Sequence, residues 1–174
     1  MGKCYVGDSV EVLKKKVKDN SVDLIFTSPP YALNKAKSYG NVNQDKYVDW
    51  FRPFADEFYR VLKNDGSLVI NIGASWNKGE PTKSLYHYEL LLDLCKRPDN
   101  PENKFFLAQE AFWNNPAKMP LPVQWVNKQR IRIKDTVENI FWLSKTKNPK
   151  ANNKNVLTPY SKSMKKLLET QNYN

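Results

Sequence analysis

Apolar positions along the chain switch between two periods, and the switches mark out the elements. Residues 3–6 form a short β-prone stretch that stops at Gly7-Asp8. Val10, Leu13 and Val17 then recur at helical spacing behind Ser9, a residue suited to capping. Asn20-Ser21 breaks that helix, and "VDLIF" at 22–26 is a β-branched and aromatic run bounded by Pro29-Pro30, which predicts a strand. From Lys46 to Leu62 the positions Val48, Phe51, Phe54, Ala55, Phe58, Val61 and Leu62 keep a 3.6 period, and Asn64-Asp65-Gly66 is expected to end that helix. "SLVINIG" at 67–73 is nearly all apolar, as a strand covered on both faces would be.

A helix over 85–94 and a loop at "KRPDNPEN" follow, then two strands, "FFLAQEAFWNN" and "TVENIFWLSKT", separated by a long insertion. Strands alternating with helices imply an α/β fold, a parallel, doubly wound, three-layer α/β/α sheet that closes on a β-hairpin. Residues 1–147 make up this body. Beyond it, Asn, Lys and Pro dominate, with seven Lys and one Glu between 145 and 174, and the segment 148–174 is expected to be a loosely ordered tail.

A length of 174 residues fits one core. No apolar run approaches the ~20 residues that a bilayer demands, so a membrane partner is not expected. The start "MGKCYVGDSVEV" has no apolar leader, and Cys4 and Cys95 make neither a disulfide framework nor a metal site; a reducing cytoplasm is the expected compartment. His87, the single histidine, has no ligand-spaced neighbours and is expected to be structural; no metal is expected. Charge changes the picture most, because 28 Lys and Arg against 18 Asp and Glu give a net +10, which favours a polyanionic partner.

The candidate chemistry lies where the first well-marked strand runs into Ser28-Pro29-Pro30-Tyr31, since functional groups of open α/β sheets gather at the carboxyl ends of strands. Two prolines fix φ and remove two N–H donors, leaving a stiff array of carbonyl oxygens beside a hydroxyl and an aromatic ring. Such a surface suits an NH2 group. If Ser28 Oγ and the Pro29 carbonyl accept its hydrogens, the nitrogen of a nucleobase amine becomes more nucleophilic while Tyr31 stacks on the base. The competing reading is a rigid turn after a strand.

"TSPPY" resembles the catalytic loop of amino-group DNA methyltransferases, in the serine form typical of cytosine-N4 enzymes. Similarity to the PvuII-type cytosine-N4 methylases extends through "YVGDSVEVL", "KSYGN", "YVDWF", "DGSLVINIG", "VQWVNKQRIRIKD" and "TPYSKSMKKL". The resemblance implies a Rossmann-like sheet and S-adenosylmethionine-dependent methyl transfer to N4 of a flipped cytosine in double-stranded DNA, in a restriction-modification system. It implies an amine-binding role for Ser28, Pro29, Pro30 and Tyr31, a contact from Asp8 to the cofactor adenine, and a target-recognition region beginning in 148–174. For Asp8 the alternative is a favourable charge at a helix N-terminus.

One feature departs from the family, whose second half carries a glycine-rich "F-x-G-x-G" loop for the cofactor; the six glycines here, at 2, 7, 40, 66, 73 and 79, form no such cluster. The cofactor site is therefore expected to be only partly encoded. A truncation, a fragment, or a subunit completed by a second polypeptide are the expected explanations. Two alternatives stay open: a DNA-binding chain inactive alone, and adenine-N6 methylation, because the loop chemistry serves any exocyclic amine. The absence of a cysteine beside the prolines argues against carbon-5 methylation, which uses a thiolate.

No acidic residue occurs between Ala111 and Lys134, whereas Lys118, Lys128, Arg130, Arg132, Lys134, Trp113 and Trp125 do. Phosphate binding accounts for the cations, and intercalation or packing for the rings. In "KQRIRIK" the alternation predicts an extended ribbon with Lys128, Arg130, Arg132 and Lys134 on one face and Ile131 and Ile133 beneath. A solvated edge strand guarded by charge is the alternative.

Overall fold

The computed structural model describes residues 2–32 and 40–172. Four strands, β1 (Val22–Thr27), β2 (Leu62–Ile72), β3 (Phe106–Asn114) and β4 (Val137–Ser144), form one sheet in the order β1-β2-β4-β3. β1 and β2 are parallel, while β4 runs antiparallel to both β2 and β3, so the chain does close on a β-hairpin. Helices α1 (Ser9–Lys16), α2 (Tyr47–Val61) and α3 (Tyr86–Lys96) lie on one side, and α4 (Lys162–Thr170) follows in the tail. The sheet and helices form an α/β, Rossmann-like architecture. Of the three expected layers, the described residues build two.

The periodicities explain the core. Alternate residues Leu68, Ile70 and Ile72 of β2 and Phe141 and Leu143 of β4 are fully buried, facing Phe51, Ala55 and Phe58 of α2 and Leu90 and Leu94 of α3. Arginines tie the helix layer together. Arg60 of α2 donates to the carbonyls of Leu13 and Val17 at the end of α1, and Arg52 of α2 pairs with Asp93 of α3 at 2.7 Å. The described helices include none long and apolar enough to cross a membrane.

Four expectations change. Residues 3–6 pair with none of the described strands, and Val6 is exposed; β-propensity over four residues makes no strand without a ladder partner. The cap of α1 is Asp8, not Ser9, its carboxylate accepting the Glu11 N–H at 3.1 Å. Asn64-Asp65-Gly66 does not end α2, which stops at Val61 because the fully buried Leu62 already pairs with Val22. The ladder then jumps to Leu24–Ser67, and Gly66 fills the irregularity; a Cβ there would meet the Val22 and Asp23 carbonyl oxygens at 3.1 and 3.2 Å. The tail, expected to be loosely ordered, has local order in two places: the Lys150 N–H bonds the Asp65 carbonyl at 2.9 Å, and Ser161 caps α4 by accepting from the Met164 N–H at 3.2 Å.

Candidate active site

The chain leaves β1 as Ser28-Pro29-Pro30-Tyr31, with Ser28 exposed, Pro29 buried, and Pro30 and Tyr31 half-buried. Side chains distant in sequence pin this loop. Tyr47, which opens α2, donates its hydroxyl to the Pro30 carbonyl at 2.8 Å. Tyr86, which opens α3, donates to the Gly73 carbonyl just past β2. Gly73 in turn lies against the Tyr31 ring, where a Cβ would come within 2.7 Å of Cε2; only glycine leaves room for the aromatic side chain. Tyr31 donates to Glu138 Oε2 at 2.6 Å, and Lys118 Nζ stands 3.1 Å from Oε1 of the same buried carboxylate.

The network has a direction. Ser28 Oγ lies 3.4 Å from the Tyr31 hydroxyl oxygen. A phenol carries one hydrogen, and Tyr31 gives it to Glu138, so Ser28 is the donor in the Ser28–Tyr31 contact and its lone pairs stay available to a donor from outside. Burial, reinforced by the bond to Glu138, pushes the Tyr31 phenol up to about 12, and burial likewise raises Tyr47 and Tyr86. All three are neutral donors at physiological pH. Asn71, one residue beyond the Thr27–Ile70 pair and so level with Ser28, buries its Oδ1 without a partner.

The remaining predicted residues spread out. Asp8 is exposed at the head of α1, where its carboxylate serves as a cap. The extended basic ribbon does not form: Gln124–Lys128 is a π-helical turn, Arg130 adopts a left-handed φ of 57°, and the N–H groups of Ile131 and Arg132 close back on the Trp125 carbonyl. Ile131 and Ile133 are exposed, forming no apolar underside. Three of the five cations are engaged locally. Lys118 faces Glu138, Lys134 donates to the Pro116 carbonyl at 2.6 Å, and Arg132 donates to the Pro81 and Ile131 carbonyls at 2.9 and 2.7 Å. Lys128 and Arg130 are exposed. Trp125 packs on Trp76 with ring centroids 5.4 Å apart, whereas Trp113 on β3 is exposed. Lys37, Ser38 and Tyr39 of "KSYGN" lie outside the described residues.

Glu138, Gly73, Tyr47 and Tyr86 are site residues that the sequence pattern does not single out. Glu138 carries a signal, as the one acid within the apolar run "VENIFWL".

A methyl donor such as S-adenosylmethionine would need a backbone cradle beside the loop. The strand-end glycines do not supply one, since Gly73 is filled by Tyr31 and Gly66 by three carbonyls, and the Asp8 carboxylate already holds a helix N-terminus. The described residues by themselves do not fit that group. No group of three or more His, Cys, Asp or Glu able to hold a metal occurs among them.

The family described as DNA methylase, of the N6/N4 type, matches residues 22–174. The chain belongs to this DNA methylase family. It is 46% identical over 168 residues, 97% of its length, to the type II methyltransferase M.PvuII of Proteus hauseri, and covers 48% of that protein. M.SfiI of Streptomyces fimbriatus is 30% identical over 91% of this chain and 39% of its own. The solved structure of the PvuII DNA methyltransferase, cytosine-N4-specific, superposes with a TM-score of 0.76 at 44% identity, over 88% of this chain and 52% of that one. The methylase chain thus spans about half the length of the relatives it matches, and the matched half holds the pinned serine loop.

Proposed function

We propose that the chain is the catalytic-loop half of a site-specific DNA methyltransferase that transfers a methyl group from S-adenosylmethionine to N4 of cytosine in duplex DNA, in the cytoplasm as part of a restriction-modification system. The observation that carries this is the exposed Ser28 hydroxyl, 3.4 Å from the Tyr31 hydroxyl, at the head of a loop held by Tyr47, Gly73 and Glu138. A flipped cytosine presents an amine whose lone pair is delocalised into its ring. Ser28 Oγ and the Pro29 carbonyl accept its two hydrogens, localising that lone pair on nitrogen, while the half-buried Tyr31 ring holds the base. The exposed Lys128 and Arg130 supply phosphate contacts.

The chain would be co-produced with a polypeptide carrying the glycine-rich half, and nucleosides from treated DNA analysed by mass. N4-methylcytosine is the expected product. C5-methylcytosine overturns the amine chemistry, and N6-methyladenine moves the substrate to the other amine that the family name covers.

A second reading is favoured by the sheet face opposite the helices, where Leu24 and Phe26 of β1 are largely exposed. On this reading the chain alone binds DNA but not the methyl donor, and a second polypeptide covers that face and completes the cofactor site. Calorimetric titration with S-adenosylmethionine separates the two: micromolar binding by the isolated chain rules this reading out, and binding that appears only with the complementing half supports it.

A further inference from the structure

We propose that Glu138 is a positioning residue for amine capture: from the start of β4 it sets the direction of the Tyr31–Ser28 hydrogen-bond chain, so that Ser28 meets an incoming N–H as an acceptor. The inference rests on the cytosine-N4 reading of the same loop and adds a residue 110 positions away from Ser28, outside the serine motif.

The geometry leaves little choice of polarity. Glu138 is 6% exposed and both carboxylate oxygens are engaged, Oε2 by the Tyr31 hydroxyl at 2.6 Å and Oε1 by the Lys118 ammonium at 3.1 Å. An ionised carboxylate accepts only, so the Tyr31 hydrogen must point toward Glu138. Gly73 beneath the ring keeps the phenol within reach of both Glu138 and Ser28. The serine hydrogen then points at the Tyr31 oxygen, 3.4 Å away, and the serine lone pairs point elsewhere. With the polarity reversed, Tyr31 would donate to Ser28, taking one of the two serine lone pairs and releasing the serine hydrogen to turn outward, where it competes with an incoming amine hydrogen for the space in front of Oγ. Lys118 has a part in this: an ammonium only donates, so it requires an oxygen on the side of residue 138 that faces it.

That requirement makes Glu138→Gln informative. The amide is isosteric, and Lys118 turns its oxygen toward itself, which leaves the amide N–H facing Tyr31 and reverses the chain. Removing the ammonium as well, in Glu138→Gln/Lys118→Met, frees the amide to offer its oxygen to Tyr31 again. The test measures kcat and the KM for DNA of the complemented methyltransferase in these two variants, Glu138→Asp and the parent. The expected result is a kcat about tenfold or more lower for Glu138→Gln with KM for DNA within about twofold, substantial recovery of kcat in the double variant, and a smaller loss for Glu138→Asp, which keeps an acceptor-only group. In the chain itself, with tyrosines carbon-labelled at Cζ and Tyr31 assigned by Tyr31→Phe, Glu138→Gln should shift the Tyr31 titration downward by NMR.

Parental kcat in Glu138→Gln, no recovery in the double variant, or a larger loss for Glu138→Asp than for Glu138→Gln overturns the inference. So does a Tyr31 titration indifferent to residue 138. A parent that forms no N4-methylcytosine takes down the underlying reading as well, whereas parental N4 methylation that ignores residue 138 takes down this inference alone.

Discussion

On one face of the sheet Leu68, Ile70, Ile72, Phe141 and Leu143 are fully buried against α2 and α3; on the other, Leu24 and Phe26 of β1 are 56% and 65% exposed, and Ile140 and Trp142 of β4 are half-buried. Both faces come from the same apolar strands. What differs is that, among the described residues, α1, α2 and α3 cover one face, while the apolar side chains of the second face meet no such cover. The serine loop follows the end of β1, where the two faces meet. Its anchors come from the covered side, Tyr47 holding the Pro30 carbonyl and Tyr86 the Gly73 carbonyl.

The comparison breaks if the two faces respond alike to truncation. Phe141→Ala should cost about 3–5 kcal/mol of unfolding free energy in urea, the transfer loss plus an unrelaxed cavity. Phe26→Ala should stay within about 0.5 kcal/mol, because its ring is largely solvated already. Comparable losses would mean that the second face is covered in this chain too.

The next largest effect is expected on turnover. Ser28→Ala should lower methyl transfer by the complemented enzyme by about 10²-fold or more while leaving DNA affinity nearly unchanged, as loss of one preorganised hydrogen-bonding group does. Gly73→Ala should act in the same direction without removing any functional group, since its Cβ displaces the Tyr31 ring. Parallel losses of binding and turnover in Ser28→Ala would assign it a folding role.

Much of the covered face was legible in the sequence because a helix that buries one side must keep a 3.6 period and a core strand must be rich in apolar residues; the helix expected at 46–62 is found as Tyr47–Val61, and the strand expected at 67–73 as Leu62–Ile72, although the described helices cover that strand on one face and not on both. The serine loop was legible because proline constrains its own backbone. Its anchors were not, because Tyr47 and Gly73 look like ordinary helix and strand-end residues until tertiary packing brings them to Pro30 and Tyr31. The basic segment failed for the converse reason: alternation in "KQRIRIK" is a local pattern, and the positive φ at Arg130 and the turn closing on Trp125 override it.

That correction sharpens the expectation for the cations. Arg130→Ala should lower the log-log salt slope of duplex binding by about one unit, because one fewer phosphate is neutralised, alike for cognate and unrelated sequences. Arg132→Ala should lower it by less, since that guanidinium already serves the Pro81 and Ile131 carbonyls. Equal slopes for parent and both variants would make this surface a solvated one.

The smallest effect returns to the covered face. His87 of α3 is the only histidine, is 3% exposed, and has a buried Nδ1 without a partner. Burial, with the charge of Lys83 adding to it and that of Glu110 opposing it, holds its pKa below the ordinary 6.5. The unfolded chain therefore takes up a proton near pH 6.5 that the folded chain resists, so the contribution of the neutral imidazole is fully present above that pH. It is lost as pH falls from about 6.5 toward the folded value, at no more than about 1.4 kcal/mol per pH unit. Asp99, held low by Arg97, titrates in a separate and more acidic window. Thermal melts between pH 7.5 and 5.5 should show the parent losing stability and His87→Gln losing less over the same interval. A parent curve flat through that interval would mean that the α3 side of the sheet admits water and charge, and that the two faces differ less in solvation than in packing.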